Sequence, residues 1–280
     1  MLVLVYHAVH RIQPDYLKHL LPVCRPGDFL SDLELLAKNY EFVTFEQICD
    51  RYTQNGRFPE NWCHITFDDG YANQYELAME YLLPMGIPAT FFVTKDFVDN
   101  KAMFYRNVAS RAIEDLKESR RFSECQMLQY AELISKSNLR TCDKMPDELR
   151  ALLAKAHQGV LDQFPFMSSE QICFLQRKGF SIGAHGIKHR KLSECDSADE
   201  ILDEIQDSIT FVEDTFSQKN APFAFPFSGD ERSRAVIREK YTGDSQRLFF
   251  DVGHSGFDPP FLVRRWAENQ PIAARAGAEV

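Results

Sequence analysis

The stretch "NWCHITFDDGYANQYELAMEYLLPMGIPATFFVT", Asn61 to Thr94, decides the fold. Its first part, "CHITF", is a short apolar run of β-forming residues. "YANQYELAMEYLLPMG" reads as a helix ended by Pro84 and Gly86, and "PATFFVT" as a second strand. Strand, helix and strand in direct succession form the unit of a parallel sheet. Where the first strand gives way to the helix stand two adjacent carboxylates, Asp68 and Asp69, followed by Gly70. Like charges repel, and the end of a strand leaving a core is a costly place for two of them. Their presence together asks for something that offsets the repulsion.

The same alternation runs outward in both directions. Upstream, "LVLVY" is a buried strand, Pro26-Gly27-Asp28 opens a helix with Phe29, Leu33, Leu36 and Ala37 at helical spacing, "EFVTF" is a strand, and "EQICDRYTQNG" is a helix closing at Gly56. Downstream, "SSEQICFLQRKG" is a helix capped by Ser168 or Ser169 and stopped at Gly179. "FSIGAH", "PFAFPF", "RLFFDVG" and "FLVRRW" read as strands, separated by the helices "SADEILDEIQDSITFVEDTF" and "SRAVIREKY". About seven or eight β units in this pattern predict a barrel-like α/β fold. The pattern breaks over about 100–166, where no glycine follows Met103 until Gly159 and helix formers dominate. We expect a helical insertion there, inside a single domain spanning 1–280.

The chain has 280 residues, 44% hydrophobic and 26% charged, an ordinary globular composition. Its net charge of −9 argues against nucleic acid or an anionic membrane as partner, since both need a basic surface. The seven cysteines show no CxxC pair and read as reduced thiols. The apolar run at the start is too short for a signal peptide, and no stretch approaches the ~20 residues of a membrane span. The expectation is therefore a cytoplasmic protein without a transmembrane segment.

In parallel α/β folds, functional groups gather where strands end. His7, the Asp68-Asp69 pair, His185 and the segment "PFSGD" all stand at such ends. His185 and His189 are four residues apart. In an extended chain they would be about 13 Å apart, too far to share an ion. On a helical turn, which Gly183 and Gly186 would ease, their Cβ atoms would be about 5–6 Å apart. Two histidines and one carboxylate are three ligands for Zn²⁺ or a similar divalent cation. Such a charge removes the repulsion within the acidic pair, leaving one carboxylate to bind it and the other to accept a proton from water. Elsewhere, His64 within "CHITF" reads as a core histidine, and Tyr6 as core packing. His10, His19 and His157 read as surface residues, and His254 and Asp258 as part of a loop lining the cleft.

"TFDDGY" (Thr66 to Tyr71), "HGIKH" (His185 to His189) and "FAFPFSGD" (Phe223 to Asp230), in this order, resemble the polysaccharide deacetylase family, also called carbohydrate esterase family 4 or the NodB-homology domain. The leading "YHAV" and closing "LVRRW" resemble its circularly permuted branch, in which an N-terminal YHxV segment stands in for a motif near the C-terminus elsewhere. The resemblance implies a distorted (β/α)7-type barrel. It implies Asp68 as general base, and Asp69, His185 and His189 as ligands of a divalent metal, Zn²⁺ foremost, with Co²⁺, Ni²⁺ or Mn²⁺ as alternatives. The backbone N–H of Phe227 would help hold the oxyanion, and His7 would be the general acid. Arg264 would orient Asp68, with Arg265 the lesser candidate because Leu262, Arg264 and Trp266 share a face. The implied substrate is a carbohydrate carrying an N-acetylated amino sugar.

The chain also departs from the family pattern. Gly186 replaces a common Ser or Thr, Ala224 an arginine, and Phe225 and Phe227 common tyrosines. The aspartate–tryptophan motif of the non-permuted members is not visible. The same centre could instead remove a formyl or O-acetyl group, and a non-catalytic carbohydrate-binding relative is a further alternative.

Overall fold

The computed structural model describes residues 1–119, 121–136, 145–241, 247–252 and 260–266. The chain opens with strand β1 (Leu2–Tyr6), helix α1 (Pro26–Asn39), strand β2 (Glu41–Phe42) and helix α2 (Phe45–Asn55). The Asn61–Thr94 stretch forms β3 (Trp62–Phe67), α3 (Ala72–Leu77), a wider π turn (Ala78–Leu82), α4 (Leu83–Met85) and β4 (Ala89–Val93). Three helices follow: α5 (Tyr105–Glu118), α6 (Glu124–Lys136) and α7 (Asp147–Leu161). Next come α8 (Ser169–Arg177), β5 (Ser181–Ala184), α9 (Ala198–Phe216) and β6 (Phe223–Ala224). The described chain ends with α10 (Glu231–Lys240), β7 (Phe249–Val252) and β8 (Phe261–Trp266).

All strand pairings are parallel, in the order β1-β8-β7-β6-β5-β4-β3-β2, and β1 also pairs with β3. That last pairing brings the two ends of the sheet together. With β2 set aside, a ring of seven strands is nearly closed into a barrel wrapped by helices, a distorted (β/α)7 fold. The β1–β3 register aligns Tyr6 with Phe67, so the next residues, His7 and Asp68, emerge side by side.

Period-two alternation sorts the strand residues into two rows. Leu4, Phe67, Phe91, Phe223, Phe249 and Phe261 belong to an apolar cluster with residues of the surrounding helices, such as Leu33, Ile172 and Ile205. The opposite row, Val3, Phe92, Ala224, Phe250 and Leu262, forms a separate cluster that fills the barrel. Continued along their strands, these inner positions become polar: His64, Thr66 and Asp68 on β3 and its end, and Arg264 on β8. The helices α5 and α7 share a third cluster with Tyr16, Leu17, Tyr71, Phe97 and Phe166.

Local signals explain most element ends. Thr44 and Gln47 form a reciprocal capping box at α2, and Ser168 and Gln171 form one at α8; Ser169 instead donates to Asp99. Two strands are shorter than the sequence suggests. "EFVTF" stops at Phe42 because Thr44 already caps α2, and "PFAFPF" keeps only Phe223–Ala224 between two prolines. Pro84 cannot donate to Glu80, and the helix containing it is split by the π turn.

His64 is a satisfied core residue, its ring nitrogens 2.7 Å from the Val43 carbonyl and 2.9 Å from Thr90 Oγ1. Tyr6 is buried and its hydroxyl donates to Asp32. His19 and His157 are exposed, but His10 is half-buried, with Nε2 enclosed; the surface expectation was wrong for it because the segment pairs with Cys24. His254, Asp258 and Cys142 lie outside the described residues. Among the described residues no cysteine is bridged, and no helix is long and apolar enough to cross a membrane.

Candidate active site

Asp68 continues the inward row of β3 and is buried. Arg264 reaches it from β8, two strands along the sheet past β1, and is itself fully buried. Its Nη2 donates to Asp68 Oδ2 at 2.8 Å, and its Nη1 donates to Oδ1 and, at 3.3 Å, to Thr66 Oγ1. The guanidinium sits 5.3 Å from the Phe92 ring centroid. Burial alone would raise the Asp68 pKa. The charge of Arg264 and its hydrogen bonds to the carboxylate outweigh it, so the carboxyl titrates below its ordinary value. Asp68 is thus ionised at neutral pH and held by a two-pronged fork that fixes its plane.

Asp69 points elsewhere because its backbone turns. It has a φ of 71°, and Gly70 follows with a φ of 74°. Its Oδ1 lies 2.9 Å from His189 Nε2 and 3.3 Å from His185 Nε2. Burial raises its pKa, but His189 and His185 overcome this and hold it well below the carboxylate range. Ligand atoms of Asp69, His185 and His189 all lie within 4.8 Å of one another. Asp69 Oδ1 is nevertheless enclosed without a well-formed hydrogen bond among the described residues. His185 Nδ1 lies 2.9 Å from the Ala224 carbonyl, which fixes Nδ1 as the protonated nitrogen and leaves the Nε2 lone pair toward Asp69. Lone pairs converging on one point, with an orphaned buried oxygen among them, suit a divalent cation better than they suit each other.

The two histidines meet through a bend rather than the helical turn expected from their spacing. Gly186 has φ 75° and His189 φ 55°, which no right-handed helix allows, and the ring centroids are 4.8 Å apart. Gly183 plays no part in the bend. It lies in β5, where a Cβ would come 2.3 Å from the Phe92 ring. The bend is tied down by Lys95 and Asp96 N–H groups donating to the Gly186 and Ile187 carbonyls, and by Ile187 N–H donating to the buried Glu204.

His7, at the end of β1, is buried beside both carboxylates, and its charge contributes to lowering both their pKa values. A residue the sequence reading missed joins it to Asp68. Gln74 of α3 is fully buried, and its Nε2 donates to the His7 carbonyl at 2.7 Å and the Asp68 carbonyl at 2.6 Å. Its neighbour Asn73 donates to the Val9 carbonyl. Two adjacent amides on a helix that directly follows a strand end were the available signal.

Phe227 has a φ of 67°, and its ring centroid lies 5.0 Å from that of His189. Its loop is pinned by Asp251 of β7, another residue missed from sequence, which accepts from Gly229 N–H at 3.0 Å and pairs with Arg234. Asp69, His189 and Phe227 are all non-glycine residues at positive φ, a conformation costing about 1–3 kcal/mol each. Five other such residues, Asp99, Asn100, Phe164, Ser217 and Asn220, lie elsewhere, so positive φ here shows how the side chains are aimed and does not by itself mark the site. Phe104, just before α5, packs its ring 4.6 Å from His189. The structure therefore gathers His7, Asp68, Asp69, His185, His189, Phe227 and Arg264 at one end of the barrel.

A profile of the polysaccharide deacetylase family matches residues 55–242. The chain belongs to this family. The match contains Asp68, Asp69, His185, His189 and Phe227, whereas His7 and Arg264 lie outside it and arrive on β1 and β8. Comparison with curated proteins finds no matching sequence. Solved structures with the same fold include the Streptococcus pyogenes deacetylase PplD in complex with acetate, at 15% identity and a TM-score of 0.61, covering 95% of this chain and 91% of that one. IcaB from Ammonifex degensii aligns at 18% identity and a TM-score of 0.59, covering 99% and 95% of the two chains. A polysaccharide deacetylase from Bacillus cereus aligns at 15% identity and a TM-score of 0.62, covering 99% and 68%. These likenesses establish the fold, and the family match supports carbohydrate deacetylation as its activity.

Proposed function

We propose that this deacetylase is a metal-dependent hydrolase that removes the N-acetyl group from an amino sugar in a glycan or glycan precursor. One observation carries the reading. A three-ligand cluster of Asp69, His185 and His189 stands beside a second carboxylate, Asp68, that is ionised and oriented by a buried arginine. Asp69, His185 and His189 would hold the divalent cation, and two imidazoles with one carboxylate match zinc, with cobalt, nickel and manganese as alternatives. Such an ion supplies Lewis-acid polarisation of the acetyl carbonyl and lowers the pKa of water.

The chain's own groups divide the remaining work. Asp68 accepts the proton of the attacking water at a carboxylate oxygen, and Arg264 keeps that carboxylate charged and in plane. The Phe227 N–H donates to the developing oxyanion, the position such donors take in acyl transfer. His7 donates a proton to the nitrogen of the departing amine, a task suited to an imidazole with an ordinary pKa of about 6.5. The arrival of His7 and Arg264 from strands outside the family match supports reading "YHAV" and "LVRRW" as the permuted counterparts of motifs placed elsewhere in the family.

The test is amine release from a panel of N-acetylated and N-formylated amino sugars and oligosaccharides, with O-acetylated sugars followed by acetate release. Each is assayed with and without a chelator. Chelator-sensitive amine release from the N-acetylated members is expected. Release confined to formylated or O-acetylated members would move the assignment to those groups. Metal bound with no release from any member would leave a carbohydrate-binding protein.

A further inference from the structure

We propose that Arg106 is an anion-recognition residue at the rim of the active site, and that the substrate carries a phosphate or carboxylate near its acetamido group. This rests on the deacetylase reading above and narrows its substrate class. Arg106 is exposed in the first turn of α5, and among the described residues no carboxylate pairs with it. The other two cations of α5, Arg111 and Lys117, pair with Asp115 and Glu114. Among the described residues, Arg106 is the one cation of α5 without a carboxylate partner, and it stands beside the proposed centre. The position does not serve the helix either. A positive charge in a first turn opposes the helix dipole, and α5 has no acidic residue there to compensate.

The arginine is nonetheless fixed in place. Its guanidinium sits 4.9 Å from the centroid of the Phe227 ring, a cation–π distance. The same ring lies 5.0 Å from His189. Arg106 is thus one aromatic ring away from the proposed metal ligands. The carboxylates of the site make no claim on it, since Asp68 is forked by Arg264 and Asp69 faces the two histidines. A guanidinium seated on a ring keeps N–H donors that match the paired oxygens of phosphate and carboxylate alike.

The test is calorimetric binding to the metal-loaded full-length protein of glucosamine, glucosamine 1-phosphate and muramic acid. None carries an acetyl group, so none is consumed. At least one anionic ligand should bind about ten- to hundredfold tighter than glucosamine, the range of a charge-assisted hydrogen bond. Which one it is separates a phosphate from a carboxylate. Arg106→Ala should erase that advantage while leaving glucosamine binding unchanged, Arg106→Lys should restore part of it, and high salt should shrink it. Equal binding of all three ligands, or no binding, would overturn the proposal. So would an equal loss for all three in Arg106→Ala, which would mean that the arginine only props Phe227. Amine release by the wild-type protein reads the deacetylase assignment separately. Release without anion preference sinks only the role of Arg106; anion preference without release sinks only the deacetylase.

Discussion

Asp68 extends the inward row of β3, whereas Asp69 takes a φ of 71° that sends its carboxylate to His185 and His189. Two adjacent residues thereby serve different partners, and substitution should separate them. Asp68→Asn should cost about 10²–10⁴-fold in turnover, the usual contribution of a general base, while metal content stays at the wild-type level. The variant also leaves the buried Arg264 charge without a counter-charge, so turnover must be normalised to folded protein. Near-normal turnover would reject Asp68 as the base. Gln74 makes a different prediction. Gln74→Ala removes both hydrogen bonds to the His7 and Asp68 carbonyls, which should cost about 1–3 kcal/mol of stability. If Gln74 also sets the spacing of the two catalytic strand ends, kcat should fall up to about 10²-fold with KM and metal content unchanged. A lowered melting temperature with kcat intact well below it would reduce Gln74 to a purely structural residue.

At the scale of elements, the bend after β5 has to hold two histidines on one side of the chain. Gly186 makes this possible at φ 75°, and a Cβ there would come 3.2 Å from Pro226 Cγ. Gly186→Ala should therefore destabilise the protein by about 1–2 kcal/mol in denaturant unfolding and weaken metal affinity. Loss of stability with unchanged metal affinity would show that the bend does not set the ligand geometry. This element also marks the limit of what the sequence conveys. The periodicity of "CHITF" and "PATFFVT" and the capping residues Thr44 and Ser168 act within a few residues, so strands, helices and their order are legible. The HxxxH spacing conveyed proximity but not backbone, because a helical turn and a bend bring the same residues together. Gln74 and Asp251 were hidden for a related reason. The adjacent amides of α3 mark a position, but which carbonyls Gln74 reaches, and that Asp251 meets the Gly229 N–H and Arg234 of α10, is decided only once the strands are assembled.

At the scale of the molecule, the β1–β3 pairing nearly closes the barrel and delivers His7 and Arg264 to a centre built from the middle of the chain. The same closed interior buries His64, which is bonded to the Val43 carbonyl and Thr90 and has its pKa pushed down to about 4 by burial, against the opposing effect of the Val43 hydrogen bond. In the unfolded chain its pKa is about 6.5. Above that value both states are neutral and the contribution of His64 to stability is complete. As pH falls from about 6.5 to about 4, the unfolded chain takes up a proton that the folded protein refuses, and stability drops by about 3 kcal/mol. Burial lowers the pKa of His10 and His189 as well, so the wild-type curve alone is not diagnostic. His64→Gln isolates the effect, because an amide can both donate and accept at this site but does not titrate in this range. Urea unfolding of both proteins in chelator, so that metal release adds no pH dependence of its own, should show the wild type losing about 3 kcal/mol more than the variant between pH 7 and pH 4. Parallel curves would mean that the barrel opens enough to protonate His64 without unfolding.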